Sequence, residues 1–510
     1  MKTPATKTPR ASGILLHPSS LPGPFGSGDF GPDAYRFVDW LANSGQTLWQ
    51  ILPLAEIGPG NSPYMSCSAF AGNVLLIDLS DLASHGWLHA DDLTPDSRFD
   101  AHRCDFSLLH PFRIERLRRA ASRFFATNDA KQKADFAAFC AEEASWLEGY
   151  ALFMAISQRE GGRDWSDWPA PLAQRDAGAL RETAAVLADE IGFWKFCQWR
   201  FYRQWGRLKH YANQHGIQIV GDMPIFVAYN SADVWANPDL FELDAQGRPS
   251  VVAGVPPDYF SETGQLWGNP VYRWTAHEQT GYRWWIARLR QIMKQSDLVR
   301  IDHFRGFAAY WEIPSSELTA INGRWVDGPG SKLFEAMRQA VGKLPIVAED
   351  LGVVTPDVVA LLKQFHFPGM RVLQFAFSNE TDNPFLPHNY EANTVAYTGT
   401  HDNDTAIGWW ENMLPRDRAF IQHFLGSDGH DIQWSMMRAL SASVAQRVIF
   451  PLQDVLGLGG EHRMNYPGRP TGNWTWRFTW DQMQPWQGKT LAHISAVYGR
   501  CALEFAELPQ

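Results

Sequence analysis

The sequence predicts an α/β chain: a single (β/α)8 TIM barrel with large, mainly helical insertions and no C-terminal β-sandwich domain. Three observations predict it. Eight short apolar runs, near residues 14, 50, 220, 300, 347, 373, 396 and 449, alternate with segments of helical periodicity, which favours parallel strands joined by helices. Several of these runs stop abruptly at a carboxylate, the pattern expected where a barrel strand meets its active-site face. The chain has 510 residues, whereas a bare barrel takes about 250, so insertions must fill the rest. After the last run only about 50 residues remain, too few for a sandwich of roughly 100.

Taken in order, residues 1–11 read as a flexible tail with Pro4, Pro9 and several Lys and Thr. A buried strand at 13–16 ends at His17-Pro18, a helix covers 33–42, and a second strand covers 47–54. The rhythm then breaks. From 60 to 210 the pattern is mainly helical, with apolar residues three and four apart near 111–126, 132–159 and 179–213, and one strand expected at 74–79. This stretch reads as an inserted subdomain. The barrel resumes at 218–224. A loop insertion rich in Pro, Gly and aromatics spans 228–275, near the barrel mouth. Helix 276–295, strand 298–303, helix 330–341, strand 345–349, helix 356–365, and strands 371–376 and 394–399 follow. Helices between 405 and 445 and a strand at 448–452 complete one catalytic unit over 1–510.

Composition narrows the function classes. A net charge of −10 gives no electrostatic footprint for nucleic acid or an anionic membrane. A neutral substrate fits better. The five cysteines are scattered and form no CxxC pair, so neither a zinc site nor a disulfide framework is signalled, and a reducing cytoplasm is expected. The apolar stretch after the N-terminal basic residues, Ile14-Leu15-Leu16, is too short for a signal peptide. No apolar run reaches the roughly 18 residues of a membrane span. Most of the 23 Trp are expected in the core, although an indole face also stacks well on a sugar ring.

The chemistry is expected at the strand ends. Side chains alternate along a strand, so in Leu298-Val299-Arg300-Ile301-Asp302 the residues Arg300 and Asp302 share a face. A guanidinium beside a carboxylate favours its ionised form, which suits a nucleophile. A structural ion pair is the competing reading. Glu349, after Ile346-Val347-Ala348, suits a proton donor if partly desolvated; Asp350 points to the opposite face. Asp402, in Thr400-His401-Asp402-Asn403, could equally cap a helix. Asp222, in Gly221-Asp222-Met223-Pro224, reads as a supporting group at the rim. Retaining glycoside chemistry needs two carboxyl groups, one nucleophile and one acid/base, and a third can hold the sugar in a distorted shape. Three charged strand ends in the order Asp, Glu, Asp are hard to attribute to accident.

These segments resemble the signature regions of the 4-α-glucanotransferases, also called amylomaltases or disproportionating enzymes, which are relatives of the α-amylases. Further matches are Ser62-Pro63-Tyr64, residues 254–261, Gly264-Gln265-Leu266-Trp267-Gly268-Asn269-Pro270, and Asn465-Tyr466-Pro467-Gly468 leading to Asn473-Trp474-Thr475-Trp476-Arg477. The resemblance covers nearly the whole chain. It implies a TIM barrel, Asp302 as nucleophile, Glu349 as general acid/base and Asp402 as stabiliser of the transition state. It also implies sugar contacts from Tyr64, Asp222, Arg300, His303 and His401, with Asn465 reaching the donor sugar.

Transfer in place of hydrolysis requires that water be excluded and the acceptor positioned. The 255–267 loop suits this. Pro256-Pro257 stiffens it, Tyr259, Phe260 and Trp267 supply aromatic faces, and Asp258 and Gln265 carry hydrogen-bonding groups for hydroxyls. The expected activity is transfer of α-1,4-glucan segments to the 4-hydroxyl of glucose or a maltooligosaccharide, through a covalent glycosyl-enzyme. The expected partners are these glucans, with no metal and no organic cofactor. Two alternatives stand beside it: an α-amylase-like hydrolase, and a non-catalytic carbohydrate-binding protein on the same fold.

Overall fold

Strands buried on both faces by helices are built from small and branched apolar residues, and here Ile14, Leu48, Val299, Val347 and Val448 are all at most 1% exposed. The computed structural model describes residues 10–258, 261–352, 354–378 and 380–502. Its strands are β1 (Ala11–Leu15), β2 (Leu48–Gln50), β3 (Gln218–Met223), β4 (Val251–Val255), β5 (Gln265–Pro270), β6 (Leu298–Ile301), β7 (Ala309–Pro314), β8 (Arg324–Asp327), β9 (Ile346–Ala348), β10 (Gly369–Val372), β11 (Thr394–Tyr397) and β12 (Arg447–Pro451). Eight of them form one parallel sheet in the order β10-β11-β12-β1-β2-β3-β6-β9. The two ends meet where the Ala348 N–H donates to the Pro368 carbonyl (2.9 Å), which closes the (β/α)8 barrel. These are the eight runs expected from the sequence.

Helices Pro32–Asn43, Ala188–Gln214, Arg283–Gln295, Ser331–Val341, Pro356–Phe365 and Ile432–Ala442 lie among the barrel strands in the chain, and Pro485–Val497 follows the last of them. Between β2 and β3 the chain also holds Phe106–Ala126, Ala130–Glu142 and Ala144–Arg159. The hydrophobic core is continuous from Ile14 in the barrel to Leu147 and Phe153 in this insertion.

The structure departs from the sequence reading in five places. Arg10 and Ala11, expected in the tail, are held: Arg10 donates to the carbonyls of Ser441 (2.6 Å) and Ser443 (2.7 Å), and Ala11 opens β1. Residues 1–9 lie outside the described residues. The strand expected at 74–79 is a tight turn, Val74–Leu76, followed by helix Leu79–Ser84, because Asn73 and Asp78 cap them with their side chains. The helix expected over 276–295 is two, Trp274–Gln279 and Arg283–Gln295, broken where Gly281 and Tyr282 turn left-handed. The strand expected at 371–376 is Gly369–Val372, followed by a single turn. The stretch 228–275 is more than a loop. It contains β4 and β5, which join β7 and β8 in an antiparallel sheet of order β5-β4-β7-β8.

Candidate active site

Neighbouring strands β3 and β6 run in register, with Asp222 opposite Arg300. Both side chains point into the barrel and are almost wholly buried. Arg300 Nη1 donates to both oxygens of Asp222 (2.8 and 2.9 Å), and Nη2 donates to Asp302 Oδ1 (2.9 Å). One planar guanidinium thus serves two carboxylates, which a point-like ammonium does not. Burial pushes the Asp222 carboxyl up, and the charge of Arg300 opposes that shift. Burial alone would lower Arg300. The carboxylates of Asp222 and Asp302 outweigh it and hold the guanidinium far above its ordinary value. Asp302 itself, just past β6, keeps 31% of its side chain exposed to the mouth, so it is pinned on one oxygen and open to attack from the other.

Directly after Asp302 the chain turns left-handed at His303 (φ 51°, ψ 49°). That turn aims the His303 N–H at Glu349 Oε2 (2.7 Å), while the Leu351 N–H donates to Oε1 (2.8 Å). Two backbone donors therefore fix the carboxyl that follows β9. Burial drives its pKa up to about 7, Arg300 pulls it down, the charge of Asp302 pushes it up again, and the two N–H groups pull it down. A carboxyl poised near neutrality suits proton transfer in both directions. Asp350 faces away, as expected, and accepts from the Met370 N–H (2.6 Å) and Arg371 (3.0 Å), tying β9 to β10.

The third carboxylate, Asp402, receives Asn465 Nδ2 on Oδ1 (2.6 Å) and lies 3.3 Å from His401 Nε2 through Oδ2. Burial works against its charge. The charge and hydrogen bond of His401, with the Asn465 amide, outweigh burial and hold Asp402 well below the usual carboxylate range. Burial likewise depresses His401, and Asp402 more than restores it, so the imidazole is raised above its ordinary value. Tyr64 joins the two halves. Its hydroxyl donates to Asp222 Oδ2 (2.8 Å), lies 3.0 Å from His401 Nε2, and its ring stacks on His401 at 5.3 Å and 16°. A continuous polar network therefore runs from Asn465 through Asp402, His401, Tyr64, Asp222 and Arg300 to Asp302.

From the loop side, Trp267 stands edge-on to His303 (4.8 Å, 84°) and donates Nε1–H to Gln265 Oε1 (3.1 Å). Burial pushes the His303 imidazole down to about 4, so it is neutral near pH 7. Asp258 is exposed and accepts the Ser261 N–H through Oδ1 (2.8 Å). Tyr259 and Phe260 lie outside the described residues.

Two residues here had no role assigned from the sequence. Arg463 donates Nη2–H to the Asp402 carbonyl (2.7 Å). Trp474, held left-handed at φ 64°, packs on both Tyr64 (5.7 Å) and His401 (5.9 Å). Arg463 carried no signal. Trp474 stood in the sequence only as part of the matched segment after Gly472.

The family profile described as 4-alpha-glucanotransferase matches residues 16–483. The chain belongs to the 4-alpha-glucanotransferase family. It is 51% identical over 491 residues to the 4-alpha-glucanotransferase of Thermus thermophilus, covering 95% of this chain and 97% of that one. It is 48% identical over 495 residues to the one from Synechocystis, covering 96% and 98%. Among solved structures it is similar to the amylomaltase from Streptococcus agalactiae in complex with acarbose, with a TM-score of 0.93, 40% identity, and coverage of 96% of this chain and all of that one. The 4-alpha-glucanotransferases are glycosyltransferases, so the expected enzyme class holds and the binding-protein alternative falls. Among the described residues no helix is long and apolar enough to cross a membrane, and no group of three or more His, Cys, Asp or Glu could hold a metal ion.

Proposed function

We propose that the chain moves α-1,4-linked glucan segments from a donor to the 4-hydroxyl of glucose or a maltooligosaccharide by double displacement. Asp302 attacks C1 of the donor while Glu349 gives its proton to the departing glycosidic oxygen. A covalent β-linked glycosyl ester forms and the first product leaves. Glu349, now a carboxylate, takes the proton of the acceptor 4-hydroxyl. That oxygen attacks C1 and frees Asp302, so the α configuration is retained. Asp402, kept ionised by His401 and Asn465, binds sugar hydroxyls and stabilises the positive charge that develops at C1. Tyr64, Asp222, Arg300, His303 and His401 position the donor, and the loop carrying Asp258, Gln265 and Trp267 covers the acceptor side.

The observation that carries this reading is the division of labour between Asp302 and Glu349. One accepts a hydrogen bond from a guanidinium on one oxygen and keeps part of its side chain open to the mouth. The other is half-buried, with desolvation holding its pKa at about 7 and the charge of Asp302 adding to the rise. A carboxylate held in place by a guanidinium suits the nucleophile, and a carboxyl poised near neutrality suits the acid. The acarbose complex of the S. agalactiae relative supports a saccharide ligand. A reducing cytoplasm is the proposed compartment, from the scattered cysteines.

The test is to incubate the protein with maltotriose, separate the products and count reducing ends. Glucose plus longer maltooligosaccharides at a constant number of reducing ends establishes transfer. Rising reducing ends without longer products reject it in favour of a hydrolase.

A further inference from the structure

Against His401 lies a cavity lined by Leu16, His17, Leu52, His401, Pro451 and Trp476 among others, but not by Tyr64 or Asp402. It opens between the C-terminal ends of β1, β2, β11 and β12. Three nitrogens of its lining residues have no hydrogen-bond partner in the protein: His17 Nδ1, His401 Nδ1 and Trp476 Nε1. The residues are buried, with exposures of 6%, 6% and 5%. Buried polar groups are very rarely left unmet. Three of them on one small cavity is a built polar site.

The chemistry of the three nitrogens is complementary. Burial pushes the His17 pKa down to about 3, so the ring is neutral and one of its nitrogens is an acceptor; Nδ1 is the one without a partner in the protein. Trp476 Nε1–H is a donor only. His401 engages Tyr64 and Asp402 through Nε2, so when the ring is charged its Nδ1–H needs an acceptor. Two donors and one acceptor match a water molecule, which accepts two hydrogen bonds and donates the third. The cavity has space for about two waters.

We propose that His17 is a positioning residue for the transfer reaction: through water held between His17 Nδ1, Trp476 Nε1 and His401 Nδ1, it fixes the His401 imidazole and, through that ring, Asp402. The relay rests on the reading that Asp402 acts in the transition state. His17 never touches sugar. It orients the group that orients the carboxylate, as outer partners of a metal-binding histidine do.

The experiment uses the full chain as wild type, His17→Leu, His17→Asn and Trp476→Phe, with kcat and KM for maltotriose disproportionation and a wild-type crystal structure at a resolution that shows ordered water. The expected structure has a water within hydrogen-bonding distance of all three nitrogens. His17→Leu should lower kcat by about tenfold or more, the range seen for lost outer partners, with KM changed less than about twofold, because the interaction matters in the transition state. His17→Asn places an amide oxygen near the former Nδ1 and should restore most of kcat. Unchanged kcat in His17→Leu overturns the proposal. So do failure of His17→Asn to restore it, or a cavity without that water. If His17→Leu does not fold, Trp476→Phe decides, since it removes one donor and little volume; unaltered kcat there also overturns the relay. Wild type is run alongside. Failure of transfer in wild type rejects the proposed function, whereas the crystallographic readout judges the water site by itself.

Discussion

Replacing Arg300 with Lys keeps the charge and removes the fork. In the structure one terminal nitrogen of Arg300 serves both oxygens of Asp222 and the other reaches Asp302 at 2.9 Å. A lysine ammonium is one point on a flexible stem. Asp222 is the more deeply buried partner, so the single charge stays with it. Asp302 then loses a charge-assisted hydrogen bond of about 1.5–3 kcal/mol. At 1.36 kcal/mol per factor of ten, kcat on maltotriose should fall about 10- to 150-fold. The melting temperature should move little, because Asp222 stays paired. Arg300→Met provides the contrast: it strands a buried carboxylate, at about 3–5 kcal/mol, and should lower Tm clearly. Glucose release from maltotriose gives kcat, and circular dichroism melts on the same preparations give Tm. A folded Arg300→Lys enzyme with kcat within about threefold of wild type would refute the idea that the shared guanidinium sets Asp302.

Asp302→Asn and Glu349→Gln should each remove most turnover with the fold intact; turnover in either variant, shown free of wild-type carry-over, rejects the role given to that residue. Glu349 must carry its proton to act as acid, and its pKa lies at about 7, so kcat/KM should decline as pH rises through neutrality; a flat profile from pH 6 to 9 would move the acid elsewhere. The same shift has a sign for stability. A carboxyl whose folded pKa is raised stabilises the fold fully below its unfolded value, and that contribution is lost as pH rises through the folded one. Glu349→Gln should therefore raise Tm more at pH 8 than at pH 5, and the opposite order would contradict the burial argument. Trp267→Ala should raise the ratio of hydrolysis to transfer, read from reducing ends against longer products; an unchanged ratio makes Trp267 a packing residue. A Cβ at Gly369 would sit 2.5 Å from Asp350 Oδ2, so Gly369→Ala should cost about 1–3 kcal/mol in chemical denaturation, and a neutral result would mean Asp350 moves freely.

The barrel was legible because its strands are buried on both faces. A run such as Leu298-Val299-Arg300-Ile301 announces itself by apolarity and by the charge at its end. The antiparallel sheet was not legible for the converse reason. Gln265 and Leu266 in β5 are exposed, as are Arg324 and Trp325 in β8, and the register between β4 and β5 slips between Val252 and Gly254. In these two outer strands there is little burial and so no alternation to read, although β4 and β7 between them bury Val252, Ala253, Tyr310 and Ile313. Caps misled the reading at 74–79, where Asn73 and Asp78 turned an apolar run into a turn and a helix.

In the candidate site, the pairing of Arg300 with Asp302 followed from strand periodicity, and the partly desolvated environment expected of Glu349 is present. The supporting place given to Asp222 at the rim matches its hold on Arg300 and Tyr64. Contacts between residues far apart in the chain could not be read. Tyr64 meets His401 across 337 positions, and the motif around Tyr64 entered only through resemblance. Trp474 and Arg463 reach the site from the last loop, where no periodic pattern predicts direction.

The closure of the sheet has a consequence for the newly made chain. Ala11 pairs with Arg447, a partner that emerges from the ribosome about 440 residues later, some 20–90 s at bacterial-to-eukaryotic rates of synthesis. Arg500, later still, donates to the carbonyls of Ala11, Leu440 and Ser443 and fastens the start of β1 to that end of the chain. Throughout the wait β1 has β2 on one flank and an open edge on the other, the kind of edge that recruits a stray strand. A nascent chain arrested before Arg447 should accordingly depend on chaperones and aggregate when released, whereas release after Arg500 should yield native barrel. The site is then among the last parts of the molecule to exist, because Asp402 waits for Asn465.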